Sequence, residues 1–112
     1  MHELAVTQSI LQTALGAAEK SNASQITDIH LVIGQLSSIV DDSVMFYWDM
    51  IAVDTIAKGA RLHFQRPLAQ FRCKNCQLIY PLTGDFTCPT CGSAHVELIS
   101  GDAFYLESIE VV

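Results

Sequence analysis

Hydrophobic and polar positions recur with two different periods along this chain, and the changes of period divide it into elements. Between residues 4 and 20, Leu4, Leu11, Leu15 and Ala18 recur at helical spacing. Val6, Ile10 and Ala14 widen that stripe, while Gln8, Gln12 and Glu19 fall on the other side. The spacing predicts an amphipathic helix. It should end near Ser21-Asn22, whose short polar side chains compete for backbone hydrogen bonds. The period then shortens to two. Ile29, Leu31 and Ile33 alternate with His30 and Val32 over 26–33, and Gly34 closes the run, which predicts a half-buried strand. His30 is expected as an exposed or hydrogen-bonded sheet histidine.

Asp41-Asp42-Ser43 opens a second helix. Side chains of this kind accept hydrogen bonds from free first-turn N–H groups, and their charge suits the helix dipole. The helix runs through Val44-Met45-Phe46-Tyr47-Trp48 to about Val53 and is apolar around much of its circumference. It should be substantially buried or cover a sheet, with Tyr47 and Trp48 in the core rather than on a partner-binding surface. Lys58-Gly59 makes a turn. Ala60, Leu62 and Phe64 alternate with Arg61, His63 and Gln65 as a second strand, which Pro67 closes. A short-stranded ribbon follows over 71–99, with strands at Leu78-Ile79-Tyr80 and Val96-Glu97-Leu98-Ile99 and a turn at Thr83-Gly84-Asp85. Residues 103–111 form a third strand, with Phe104 and Leu106 opposite Tyr105, Ile109 and Val111.

The order helix, strand, helix, strand, ribbon, strand predicts an α/β (α+β) fold. A small mixed sheet of about three strands with two helices carries an inserted four-cysteine zinc-ribbon lobe. Residues 1–68 with 101–112 form the α/β domain on this reading, and 69–100 the ribbon.

The ribbon holds all four cysteines, Cys73, Cys76, Cys88 and Cys91, as two C-x-x-C pairs. Two thiolates three positions apart on a tight turn reach one ion from the same side. A second pair completes the tetrahedron that zinc accepts from four sulfurs. Gly92 follows Cys91 where the turn needs a residue tolerant of positive φ, and Pro89 stiffens the same turn. Two disulfides would need an oxidising compartment. A thioredoxin-like redox site uses one C-x-x-C at a helix start, whereas both pairs here sit among turn residues.

Composition narrows the functional classes. The chain has 112 residues, half of them hydrophobic, and a formal charge of −6. That length can bury a core without disulfides, but a lobe below about forty residues depends on its metal. The acidic balance opposes nucleic-acid binding. Arg61, Arg66, Arg72 and Lys74 cluster in sequence and are read as a solvated basic face. Met-His-Glu-Leu lacks the basic and apolar regions of a targeting segment, and no run of about eighteen apolar residues marks a membrane span. A cytoplasmic protein is expected.

The first three residues offer a second metal chemistry. A large second residue such as His2 tends to block removal of the initiator methionine. The amine of Met1, nearby backbone nitrogens and the His2 imidazole can then converge on one ion, and such a planar nitrogen set suits Ni(II) or Cu(II). Glu3 or an acidic neighbour adds an oxygen. A frayed terminus with an exposed histidine is the plainer reading.

Several motifs together carry a resemblance. They are Met1-His2-Glu3-Leu4, Ile33-Gly34-Gln35-Leu36-Ser37, Gly59-Ala60, the paired C-x-x-C motifs ending in Cys88-Pro89-Thr90-Cys91-Gly92-Ser93, and Ser108-Ile109-Glu110-Val111. In order and across the whole length, the chain resembles the hydrogenase nickel-incorporation proteins of the HypA/HybF family. The resemblance implies a metallochaperone rather than an enzyme. Such a protein delivers nickel to the [NiFe]-hydrogenase large subunit with a nickel-binding GTPase of the HypB type; some relatives also serve urease and its maturation factors. It implies His2 as the essential nickel ligand, with Met1 and Glu3 contributing. Cys73, Cys76, Cys88 and Cys91 match the zinc ligands. An acid in the loop after the first strand, Asp41 or Asp42, stands near the nickel position. The chain departs from its relatives in ending at Val112 rather than in a further acid. It also has only His95 after the second cysteine pair, so zinc ligand exchange has little support and His95 is read as a surface residue. A monomer or homodimer is expected, without nucleic acid or membrane.

Two other classes make different demands. A zinc-ribbon module for protein or nucleic acid carries no cargo and makes His2 dispensable. A zinc enzyme needs an open coordination position, which four cysteines close.

Overall fold

The computed structural model describes residues 3–112. In chain order it runs α1 (Glu3–Lys20), β1 (Ile26–Ile33), α2 (Asp41–Ile51), β2 (Arg61–Gln65), β3 (Gln70–Cys73), β4 (Ile79–Pro81), β5 (Val96–Ser100) and β6 (Phe104–Val111). Two three-stranded sheets result, one in the order β2-β1-β6 and the other β4-β3-β5. The first is mixed, with β1 parallel to β2 and antiparallel to β6. The α/β expectation with an inserted four-cysteine lobe holds.

α1 buries Thr7, Ile10, Leu11, Ala14 and Ala18, whereas Leu4 at the start of the predicted stripe is exposed. Thr7 is fully buried because its hydroxyl donates to the Glu3 carbonyl at 2.6 Å, leaving its methyl to pack. The helix stops at Asn22, which takes φ +54 while the Ala23 amide donates to the Ala18 carbonyl and the Asn22 amide to Glu19. This left-handed close satisfies carbonyls that the helix leaves free.

β1 lies at the centre of its sheet and against the helices. Ile26, Ile29, Leu31 and Ile33 are fully buried and share a core with Ile10, Leu11, Val44 and Trp48. Two local irregularities set the register against β6, one at Thr27 and one at Glu107. The second corrects an expectation. Ile109 does not oppose Phe104 and Leu106 but packs with them on the core. The extra residue at Glu107 shifts the side-chain alternation by one.

α2 settles one expectation and corrects another. Of the two placements expected, substantially buried or covering a sheet, it takes the second: Val44 and Trp48 face inward and share the core with β1, while Met45, Phe46 and Met50 stay exposed. One layer can cover only one side of a helix. Tyr47 is half-buried. Its N-terminus has no side-chain cap from Asp41, Asp42 or Ser43. Instead the Glu3 carboxylate accepts from the Val40 amide at 3.4 Å, and the Ser37 hydroxyl accepts from Ile39 at 3.2 Å.

The sheet face away from the helices is polar. His30 and His63 stack at 4.6 Å between centroids. His30 bonds Glu110 at 2.7 Å, so it is the hydrogen-bonded sheet histidine expected. His63 and Arg61 bond Asp28 at 2.7 and 3.2 Å. The His63 contact first, then Thr27 and Arg61, hold the Asp28 carboxyl down to about 2. Because the folded value lies below the unfolded one of about 3.9, the pairing stabilises the fold above pH 4 or so and is lost as pH falls towards 2. Asp28→Asn should therefore lower the urea midpoint at neutral pH, by an amount that shrinks as pH falls from about 4. An unchanged gap at pH 7 and near pH 2.5 would contradict this account.

A second, smaller core holds the other sheet: Ala69, Phe71, Cys73, Tyr80, Leu82 and Cys88, with Leu78 and Val96 against it. Its central strand β3 was not among the strands expected. Gln70–Cys73 is too short to show a period, and it is a strand only because β4 and β5 pair on either side. The two sheets are joined through Gly34 and Gln35. The Gly34 amide donates to the Ala103 carbonyl at 2.8 Å and Leu36 to Gly101 at 2.8 Å. Gln35 donates through its backbone to Pro67 at 3.0 Å, accepts at Oε1 from the Ala69 amide at 2.7 Å and donates from Nε2 to Leu82 at 3.4 Å. One side chain thus ties the loop after β1 to both the strand-to-ribbon linker and the end of β4.

Candidate metal centre

Two turns bring the cysteines together. The first begins as β3 ends. Cys73 Sγ accepts from the amides of Asn75 and Cys76, each at 3.4 Å, and the Gln77 amide closes back on the Cys73 carbonyl at 2.9 Å. The second repeats the closure, with the Gly92 amide on the Cys88 carbonyl at 2.9 Å. The residue after each C-x-x-C takes positive φ, +67 at Gln77 and +75 at Gly92. Gly92 does so freely, as the sequence implied, whereas a side chain in this region costs roughly 1–2 kcal/mol. The strained Gln77 was not anticipated. Its signal was its equivalence to Gly92 across the two motifs.

The four sulfurs lie within 4.8 Å of one another, with Cys73–Cys91 at 3.5 Å and Cys76–Cys88 at 3.6 Å. A disulfide needs about 2.05 Å. Four sulfurs about 2.3 Å from one tetrahedral ion stand about 3.8 Å apart, close to the spacing found. Cys73 and Cys88 are buried and Cys76 and Cys91 exposed, so each turn supplies one buried and one exposed sulfur. The turn amides also favour thiolate. The Cys91 amide leads in lowering Cys88, to about 6, and the Cys76 amide leads in lowering Cys73. At Cys76 the Leu78 amide pulls down, but the Cys88 sulfur and desolvation outweigh it and push the thiol up to about 11. Sulfurs crowded at this distance cannot all ionise alone; a bound cation relieves the repulsion. Tyr80 seals the base, donating to the Phe86 carbonyl at 2.7 Å. His95 is exposed and stands outside the cluster, which among the described residues comprises the four cysteines.

The N-terminal candidates are placed in part. Met1 and His2 lie outside the described residues. Glu3 opens α1, and its carboxylate reaches the Val40 amide, 37 positions away in sequence. That contact sets the start of α1 beside the first turn of α2. There Asp41 is held by Arg66 at 2.8 Å, while Asp42 is exposed. The role of Glu3 in tying the start of α1 to α2 was not legible in sequence. Of the predicted basic cluster, Arg61, Arg66 and Arg72 pair with Asp28, Asp41 and Glu97, so most of its charge is locally matched.

The family model described as "Hydrogenase/urease nickel incorporation, metallochaperone, hypA" matches residues 1–111. A hydrogenase maturation factor HypA of Dehalococcoides mccartyi strain 195 is 43% identical over 113 aligned residues, covering 99% of this chain and 94% of that protein. Its counterpart in Caldanaerobacter subterraneus subsp. tengcongensis is 41% identical, with 99% of each chain covered. The solution structure of the Ni metallochaperone HypA from Helicobacter pylori has the same fold, with a TM-score of 0.72 at 23% identity, covering 100% of this chain and 98% of that one. No helix among the described residues is long and apolar enough to cross a membrane.

Proposed function

This chain belongs to the HypA family of hydrogenase/urease nickel-incorporation metallochaperones, and from that premise we propose that it carries Ni(II) at its N-terminus and delivers it to the [NiFe]-hydrogenase large subunit. The family is one of maturation factors, and the chain is not an enzyme. The observation that supports the site is the Glu3–Val40 contact, which sets Glu3 next to the residue that precedes Asp41 and Asp42. His2 is the essential nickel ligand on this reading, Met1 and Glu3 contribute, and Asp42 is the acid left free to assist because Arg66 engages Asp41. Residues 1–68 with 101–112 carry the cargo, and 69–100 form the ribbon. Cys73, Cys76, Cys88 and Cys91 hold Zn(II), which stabilises the ribbon and does not exchange with the cargo. A cytoplasmic nickel-binding GTPase of the HypB type is the loading or unloading partner, and urease maturation factors are a further one.

An exposed site built from a terminus and one imidazole suits release, since each 1.4 kcal/mol or so of extra affinity makes it about tenfold harder. Nickel titration of zinc-loaded protein with an untagged N-terminus, beside His2→Ala, tests the reading. One nickel site should be present in the wild type and lost in the variant, with zinc retained in both. Because binding requires neutral imidazole, affinity should fall from about pH 7.5 to 5.5. Equal binding by both proteins would remove His2 from its role and favour a ribbon interaction module without cargo.

A further inference from the structure

We propose that the outward face of α2 is a docking surface for a basic amphipathic helix of a partner protein. Asp42, Met45, Phe46, Asp49 and Met50 recur at steps of three and four along α2, and Val53 extends the row just past its end. All of these residues are exposed. Met45, Phe46, Met50 and Val53 keep 48, 62, 52 and 46% of their surface, while Val44 and Trp48 on the inner side keep 0 and 2%. The helix therefore has two apolar sides and one layer to bury them against. Apolar residues at this spacing on an exposed helix form the row that a second helix packs upon.

A groove of about 410 Å³ runs beside the row, between α2 and the start of β2. Met45, Trp48 and Leu62 supply its apolar lining, and Asp49, Arg61 and His63 its polar lining. The indole N–H of Trp48 has no acceptor among the described residues. That N–H is itself buried, so its signal reports on the packing beneath the row rather than on a contact with the partner.

Charge selects the occupant. α2 has no basic residue in its last turn, and its acids are Asp41, Asp42 and Asp49, with Asp54 following. Arg66 matches Asp41. Asp42, Asp49 and Asp54 take part in no ion pair among the described residues. Arg61 and His63 across the groove are held by Asp28, and Lys58, near Asp49, is not paired with it. An apolar row edged by unmatched carboxylates fits a helix whose apolar row is edged by Lys or Arg. A second copy would set the same carboxylates face to face, and anionic lipid headgroups would be repelled. The row spans about 16 Å, or three turns of the partner. This surface shares Asp42 with the proposed nickel site, but Met45, Phe46, Asp49, Met50 and Val53 are not among the residues proposed to hold the cargo. Its near end follows Val40, whose amide bonds Glu3, so a docked partner stands next to the start of α1.

The test uses the full, metal-loaded, isotope-labelled chain and two synthetic helical peptides of about fourteen residues, roughly four turns. Both carry a leucine row, edged by lysines in one and by glutamates in the other. The basic peptide should shift the amide signals of Met45, Phe46, Asp49 and Met50 and the Trp48 indole signal. Asp49→Asn/Asp54→Asn should weaken it about tenfold, and Phe46→Gln/Met50→Gln should abolish binding; these exposed positions leave the core intact. The proposal is overturned by equal affinity for the acidic peptide or by shifts scattered over other acidic sites such as Glu107 and Glu110. Phosphatidylglycerol vesicles binding in preference to the peptide would overturn it too, as would self-association that Phe46→Gln removes.

Discussion

Stripping the metal with a strong chelator should unfold the ribbon and leave the α/β lobe standing. The ribbon core is Ala69, Phe71, Cys73, Tyr80, Leu82 and Cys88, and two of those six are the cysteines themselves. So small an apolar core cannot offset the entropy of ordering the two turns and three short strands. Structural zinc in comparable lobes contributes on the order of 10–16 kcal/mol at neutral pH, which is the whole of the stability available. Amide dispersion should collapse for Gln70–Ser100 and persist for Ile26–Ile33, which belongs to the other core. Cys88→Ser should act in the same direction, since Cys88 is buried and its thiol is the one held down to about 6 by the Cys91 amide. A metal-free ribbon with native amide dispersion would refute the dependence.

Gly34→Ala should cost about 3 kcal/mol and loosen the join between the sheets, at the upper end of what a forced contact costs. A Cβ at Gly34 would collide with the carbonyl of Gly101 and stand 2.9 Å from the Asp102 amide nitrogen. Those atoms are backbone and cannot swing aside. Gly101 cannot retreat either, because it holds φ +108 with Ala69 pressed against it. The bonds Gly34 to Ala103 and Leu36 to Gly101 would break together, and the Gln35 tie would go with them. Gly16→Ala is the control: nothing lies within 4 Å of its Cβ position, and in a helix alanine gains up to about 1 kcal/mol. Thermal melts with both lobes monitored would show the contrast, and an unshifted Gly34→Ala melt would remove the glycine contact as the reason for the join.

The two helices and the parallel pair β1 and β2 of the first sheet were legible because their signals are local. α1, β1 and β2 have unbroken periods, and each lies where its period placed it. The burial of α2 was left open for the opposite reason. Periodicity reports that the helix is apolar around much of its circumference, but how many of its sides are covered depends on how many layers the fold supplies. Only α1 and the sheet are there to cover it, and Phe46 is left outside.

By itself the sequence determined the four cysteines of the candidate metal centre, the turn at Gly92, the order of the elements other than β3 and the resemblance that named the family. A C-x-x-C turn closes within five residues, so its geometry follows from its own backbone. Tertiary structure alone decided the rest. The face of Ile109 was set by a bulge at Glu107 against β1, and the central place of β3 by neighbours on either side. Gln35 bonds Ala69 across 34 positions, and Glu3 reaches Val40 across 37. Contacts over such separations have no local period to announce them, because they exist only once the chain has brought distant backbone groups within hydrogen-bond reach.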